Sequence, residues 1–317
     1  MMWYEQLLED NYALERVIGC GGAGIVLAAR HRRLGQRVAL KFLRPDRPRA
    51  PEVLERLVLE AQITARIKSA HVTRMLDIGR LPDGEPFLVM EYLEGCDLAA
   101  LLKARGPLAS SDAVAYLRQA CAGLTASHAM GIIHRDLKPS NLFLSLAPNG
   151  SPLVKILDFG SAEESPRPGT VAGTHERARK PLDMGSPPFA APEQLRAERP
   201  ADPKSDIWAL GAALFTLLAG RSPFARPYLS ETYLAILSGR VPNLTAARPD
   251  IERSLAAVVE RCLAADPEQR FASAAELSVA LEPFVTQAPK AAVSRAAPAR
   301  PARSKINVHR VAELAHR

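Results

Sequence analysis

Near residue 93 the chain changes its periodicity, and that change limits its fold more than any other feature. Up to that point, β-branched or apolar segments at 12–18, 26–30, 37–43 and 87–90 alternate with Gly, Pro and charged turns, as strands do. One stretch differs. Between Glu52 and Ile67, residues Val53, Leu54, Leu57, Ala61, Thr64 and Ala65 recur with a 3.6-residue period. These segments describe a small sheet with one helix against it. From Asp97 onward the spacing turns helical. Residues 112–129 form a long apolar-periodic segment that Ser110, Ser111 or Asp112 can cap. A β patch follows near 142–157, and helical patterns return at 205–219, 229–238, 252–264 and 273–284. Strands first and helices after make the chain α+β.

The formal charge of +7 hints at a nucleic-acid partner until it is located. Residues 287–317 hold seven of the 41 Lys/Arg and one of the 34 acidic residues, which leaves 34 basic against 33 acidic residues in the rest. The folded part is near neutral and gives no sign of nucleic-acid binding. Residues 287–303 are an Ala/Pro/Arg tract with too little bulk for a core, so disorder is expected there. In the last dozen residues Val308, Val311, Leu314 and Ala315 fall at helical spacing, which suits a frayed terminus or a weak amphipathic helix. Cys20, Cys96, Cys121 and Cys262 lie far apart with no C-x-x-C pair, as expected of reduced thiols. The acidic start lacks the basic flank and apolar stretch of a signal peptide. The longest apolar run, 207–220, is 14 residues, short of the roughly 20 that a membrane span needs. A soluble, cytoplasmic protein is expected.

The chemistry concentrates in His134-Arg135-Asp136-Leu137-Lys138-Pro139-Ser140-Asn141. Asp136 can take a hydroxyl proton, Lys138 can hold a transferring phosphate and Asn141 can ligate a metal. Such a loop needs a nucleotide pocket. Gly19-Cys20-Gly21-Gly22-Ala23-Gly24-Ile25-Val26 leads into a strand, not a helix, so it is the turn of a hairpin. Its glycines let backbone N–H groups approach phosphates with no Cβ in the way. Lys41 ends the apolar Val38-Ala39-Leu40 segment fifteen residues after Val26, and suits the α- and β-phosphates of a nucleotide. Glu60, on the 52–67 helix, is its natural carboxylate partner. Asp158, followed by Phe159-Gly160 at a strand end, can bind Mg²⁺ together with Asn141.

These residues resemble eukaryotic-type (bacterial Hanks-type) serine/threonine protein kinases. The glycine loop, Lys41, Glu60, the 134–141 octapeptide and Asp158-Phe159-Gly160 all match in order. So do Ala191-Pro192-Glu193, Asp206-Ile207-Trp208-Ala209-Leu210-Gly211 and Asp266-Pro267-Glu268-Gln269-Arg270. The resemblance implies a two-lobed kinase domain over 1–285, with a β-rich N-lobe at about 12–93 and a mostly helical C-lobe at about 94–285, followed by a tail at 286–317. ATP would lie in the cleft, with Mg²⁺ or Mn²⁺ on Asn141 and Asp158. The nucleotide would be bound by Ile18, Gly19, Cys20, Gly21, Gly22, Ala23, Gly24, Ile25, Val26, Ala39, Lys41, Glu60, Glu91 and Leu93. Glu91-Tyr92-Leu93 would be the hinge and Met90 the gatekeeper. Asp136 and Lys138 would be catalytic, and Lys138 marks the Ser/Thr class. Asp206 would anchor the His134-Arg135 backbone, and Glu193 would pair with Arg270.

The resemblance also implies phosphorylation of the activation segment, read by Arg135, with Ser165, Thr170 and Thr174 as candidates. Protein substrates are implied, and the basic tail suits an acidic partner. The chain departs from the family in four places. Ser186 follows Gly185 where Thr is usual, keeping a hydroxyl that can bond Asp136. Thr64 stands where Leu or Met usually packs, which points to lowered basal activity. The 158–193 segment carries Arg177, Arg179 and Lys180, and Lys68-Ser69-Ala70-His71-Val72 lacks the usual His-Pro pair. An inactive nucleotide-binding scaffold would lack one of Lys41, Asp136, Asn141 or Asp158. An aminoglycoside-type small-molecule kinase would lack the Ala191-Pro192-Glu193 segment and the Asp206–Gly211 motif.

Overall fold

The computed structural model describes residues 11–21, 24–44, 51–164, 187–196 and 202–285. They divide into two compact units. One gathers the described residues up to Arg66 together with Thr73–Glu94; the other gathers Ile67–Val72 and the described residues from Gly95 on.

In the first unit five strands form one antiparallel sheet: β1 (Tyr12–Gly21), β2 (Gly24–His31), β3 (Arg37–Phe42), β4 (Met75–Arg80) and β5 (Pro86–Glu91). Their spatial order is β1-β2-β3-β5-β4. Alternation along each strand decides which face a side chain joins. Val38, Leu40 and Phe42 meet Ile25, Leu27, Ala29, Phe87 and Val89 in an apolar cluster on one face. Ala39 and Lys41 take the other, in register with Met90 and Leu88 of β5 and with Ala28 and Val26 of β2. Helix α1 (Pro51–Arg66) covers that second face, its Leu57 and Ala61 packing on Leu88. A slip of one residue in β3 would drive Lys41 into the apolar cluster, so burial of both faces fixes the register.

The second unit is mostly helical. It contains β6 (Gly95–Asp97), α2 (Leu98–Arg105), α3 (Ser110–His128), β7 (Ile132–Ile133), β8 (Leu142–Leu146), β9 (Pro152–Ile156) and β10 (Glu163–Glu164). Then come α4 (Pro192–Arg196), α5 (Pro203–Ala219), α6 (Leu229–Leu237), α7 (Leu244–Ala247), α8 (Arg253–Cys262) and α9 (Ala274–Leu281). Strands β6, β8 and β9 form one antiparallel sheet, and β7 pairs with β10.

Helix α5 is the axis of this unit. Asp202 caps its start by accepting the Lys204 N–H at 2.7 Å, Pro203 opens its first turn, and Gly220 closes it in the left-handed region at φ 77°. Every residue from Ser205 to Leu218 is buried, because a helix apolar on all sides must be surrounded on all sides. Burial of α5 takes Asp206, on its first turn, inside with it. Among the described residues no helix is long and apolar enough to cross a membrane.

Several expectations need correction. Helix α3 begins at Ser110, so its cap position falls on Ala109, which offers no side-chain bond; neither serine nor Asp112 caps it. Strand β4 and helix α2 have no counterpart in the sequence reading. Strand β4 is mostly half-exposed or exposed and lacks a clean alternation. The last helix ends at Leu281, and Glu282–Phe284 continues as a single 3₁₀ turn around Pro283. The tail at 286–317, with its expected disorder and terminal helix, lies outside the described residues.

Candidate active site

The first unit brings the glycine hairpin together with a buried ion pair between its sheet and α1. Gly21 pairs with Gly24 across β1 and β2, closing the hairpin; Gly22 and Ala23 lie outside the described residues. The glycines serve different ends. Gly24 has φ +146°, and a Cβ there would stand 2.2 Å from the Phe42 carbonyl oxygen, so the protein's own backbone demands glycine. At Gly21 a Cβ would meet nothing within 4 Å, which leaves open space where a phosphate could approach the backbone. Ile18 and Cys20 are exposed on the same strand.

The register of Ile25 against Phe42 puts its side chain in the apolar cluster on the face away from Lys41, so that side chain builds the sheet while its backbone stays in the hairpin strand. Val26, Ala39 and Lys41 do share one face. Lys41 Nζ donates to both carboxylate oxygens of Glu60, at 2.7 and 3.0 Å, with each side chain 7% exposed. Thr64, one turn on, donates its hydroxyl to the Glu60 carbonyl at 2.7 Å, which satisfies a buried polar group inside the helix. Glu91 uses its N–H and its carboxylate to hold Arg74, while Leu93 is half-buried.

The second unit assembles the octapeptide. Lys138 Nζ donates to Asp136 Oδ2 at 2.7 Å. Asn141 Nδ2 donates to the Asp136 carbonyl at 2.7 Å and to Oδ2 at 3.3 Å. That use of the amide nitrogen leaves Oδ1 as the end suited to a cation. The β8–β9 ladder then brings in Asp158, since the Leu157 N–H donates to the Asn141 carbonyl at 2.8 Å. One amide oxygen and one carboxylate make a hard-donor set. Mg²⁺ commonly takes one or two such protein ligands and completes its shell with water and phosphate.

Among the described residues only Arg135 and Asp158 combine a side chain with positive φ, at 68° and 60°. Such strain persists where surrounding groups hold it. Here Asp206 is one of those groups. Its Oδ1 accepts the Arg135 N–H and its Oδ2 the His134 N–H, both at 2.9 Å. His128 adds a third contact to the carboxylate, at Oδ2, 2.8 Å away. Burial pushes the Asp206 carboxyl up, but His128 and the His134 N–H outweigh it and hold the group below its ordinary value. His134 is itself pinned. Its Nδ1 accepts the Asp136 N–H at 3.3 Å, so the ring proton lies on Nε2 and goes to the Leu157 carbonyl at 2.9 Å. The Phe159 ring, 1% exposed, packs on it with centroids 4.7 Å apart.

A second buried centre sits under α4. The Arg270 guanidinium grips both Glu193 oxygens, at 2.7 and 2.9 Å, and Ser205 Oγ donates to the same carboxylate at 2.8 Å. Burial raises the Glu193 carboxyl and Arg270 more than reverses it, leaving it below its ordinary value. His128 and Ser205 escaped the sequence reading, because a lone His or Ser at a helix end looks like any surface polar residue. Ser165, Thr170, Thr174, Arg177, Arg179, Lys180, Gly185 and Ser186 all lie outside the described residues.

The family described as "Protein kinase domain" matches residues 12–280. The serine/threonine-protein kinase Pkn1 of Myxococcus xanthus is 36% identical over 274 residues, covering 86% of this chain and 38% of that protein. PknB of Mycolicibacterium smegmatis is 34% identical over 276 residues, covering 86% and 42%. PknH of Mycobacterium tuberculosis is 34% identical over 274 residues, covering 85% and 41%. The chain therefore spans about two fifths of the length of these relatives.

Proposed function

The chain belongs to the protein kinase domain family, and from that premise we propose that it is an ATP-dependent protein serine/threonine kinase. One observation carries the reading. Asp136 has a lysine ammonium 2.7 Å from Oδ2, and its backbone is held by Asn141 and His134, as a proton acceptor beside a transferring phosphate should be.

In the reaction we assign, a Ser or Thr hydroxyl oxygen of a protein attacks the γ-phosphorus of ATP. The bond from that phosphorus to the β–γ bridging oxygen breaks, and ADP leaves. Asp136 orients the hydroxyl and accepts its proton. Lys138 offsets the charge on the moving phosphoryl oxygens. Lys41, held by Glu60, would bind the α- and β-phosphates, with the Gly19–Gly24 hairpin offering N–H donors. Asn141 and Asp158 would hold Mg²⁺, which supplies charge neutralisation at the phosphates when bound. Positioning alone can lower such a barrier by about 7–11 kcal/mol.

The same reading takes residues 1–285 as the kinase domain and 286–317 as a basic tail suited to an acidic partner. It assigns the protein to the cytoplasm and autophosphorylation to Ser165, Thr170 or Thr174. Radiolabelled ATP with the purified chain, a generic protein substrate and an Asp136→Asn control tests it. Label should pass to Ser and Thr with the native chain only; equal labelling by both proteins refutes the assignment.

A further inference from the structure

The strained residue of the octapeptide is held by side chains at both of its polar backbone atoms. At Arg135 (φ 68°) the N–H goes to Asp206 Oδ1, as described. Its carbonyl accepts from Gln194 Nε2 at 3.2 Å, while Gln194 Oε1 accepts the Ala191 N–H at 2.8 Å. A carboxamide has one donating end and one accepting end, and these two partners decide which end faces which.

Half of this is ordinary helix chemistry. Ala191 precedes α4 and Gln194 is its third residue, so Oε1 makes the back-reaching bond of a capping box. That bond alone would leave the NH₂ group to water. Instead it reaches the peptide unit joining Arg135 to Asp136. The other end of that unit, the Asp136 N–H, is already bound to His134 Nδ1 at 3.3 Å. The peptide plane that precedes Asp136 is therefore held at both edges. Rotation of this plane, through ψ of Arg135 and φ of Asp136, would swing the Asp136 carboxylate, while the Asp206 bond holds the peptide on the other side of Arg135. Gln194 is offered from a rigid base, because Glu193 beside it is locked to Arg270.

We propose that Gln194 is a positioning residue. By fixing the Arg135–Asp136 peptide plane it sets the direction of the Asp136 carboxylate and ties it to the Ala191-Pro192-Glu193 segment. The inference rests on Asp136 being the acceptor of the substrate hydroxyl proton.

Two variants of the full chain separate this role from capping. Gln194→Glu keeps the oxygen for the Ala191 N–H but turns the other end into an acceptor facing a carbonyl. Gln194→Leu removes both bonds without adding charge. Steady-state kinetics with ATP and a Ser/Thr peptide, alongside thermal melting, are the measurements. In both variants kcat per folded molecule should fall by about fivefold to about a hundredfold, the range from one lost hydrogen bond to a reacting group displaced by an ångström. KM for ATP should stay within about twofold, and the Gln194→Glu melting temperature near that of the native chain, since its cap remains. If Gln194→Glu keeps kcat within about twofold while Asp136→Asn is inactive, the proposal is overturned and the catalytic reading stands. If kcat and KM for ATP change together in both variants, Gln194 acts generally on the fold and the proposal is overturned as well. A native chain no more active than Asp136→Asn overturns the catalytic reading itself, and this inference with it.

Discussion

Removing the Arg270 guanidinium should cost this protein more stability than any single methylene deletion in its core. A guanidinium has five N–H groups. All five are used here: Nε donates to the Ala264 carbonyl, Nη1 to Glu193 and the Lys204 carbonyl, and Nη2 to Glu193 and the Ala265 carbonyl. The side chain is 0% exposed and stands 5.0 Å from the Trp208 ring centroid. Arg270→Leu leaves Glu193 buried with Ser205 as its one remaining side-chain donor among the described residues. An uncompensated buried charge costs about 3–5 kcal/mol, and carbonyls stripped of their donors add to it. We expect a loss of about 5 kcal/mol by urea denaturation at neutral pH, comparable to the whole margin of about 5–15 kcal/mol of many domains. Arg270→Lys, which keeps the charge but not the fork, should lose less. The pH dependence carries a second check. Glu193 titrates below its ordinary 4.5 in the folded chain, so its contribution is present above that value and is lost as pH falls through the depressed one. In Arg270→Leu, burial is opposed only by the Ser205 and backbone hydrogen bonds and raises the carboxyl relative to the native chain, so acid should narrow the gap between variant and native chain. A loss under about 2 kcal/mol, or a gap that widens on acidification, would refute the reasoning.

Three further outcomes are expected. Lys41→Met takes the ammonium partner from the buried Glu60 carboxylate; it should lower stability by about 3–5 kcal/mol in denaturant titration and abolish labelling from ATP. Gly24→Ala should destabilise by at least about 1–3 kcal/mol, through its φ and the Phe42 carbonyl, whereas Gly21→Ala should leave the melting temperature nearly unchanged and raise KM for ATP. Asp206→Asn replaces an acceptor by a donor facing the N–H groups of His134 or Arg135; it should cost about 2–4 kcal/mol and lower kcat, with KM for ATP little moved.

How much of this was legible beforehand differs from group to group. The Lys41–Glu60 pair could be read from spacing, because a period of two in β3 and of 3.6 in α1 fixes which residues face inward. The Asp136, Lys138 and Asn141 cluster could be read because it lies within six residues and the loop closes on itself. The face that the Ile25 side chain takes could not be read, because adjacent residues in a glycine string look equivalent until strand register sends their side chains to opposite faces. Strand β4 went unread because its half-exposed residues carry no clean alternation.

Local pattern determined the α+β order, the glycine hairpin, the run that must be buried as α5 and the set of groups to which phosphoryl transfer is assigned. Those follow from steric and hydrophobic periodicities, which act over a few residues. Tertiary structure alone decided that Arg270 spends all five donors and that Gln194 reaches across 59 residues of sequence to the peptide before Asp136. These are contacts between distant backbone carbonyls and side-chain donors. No residue type announces them, because every carbonyl in the chain is the same acceptor until folding brings a donor to it.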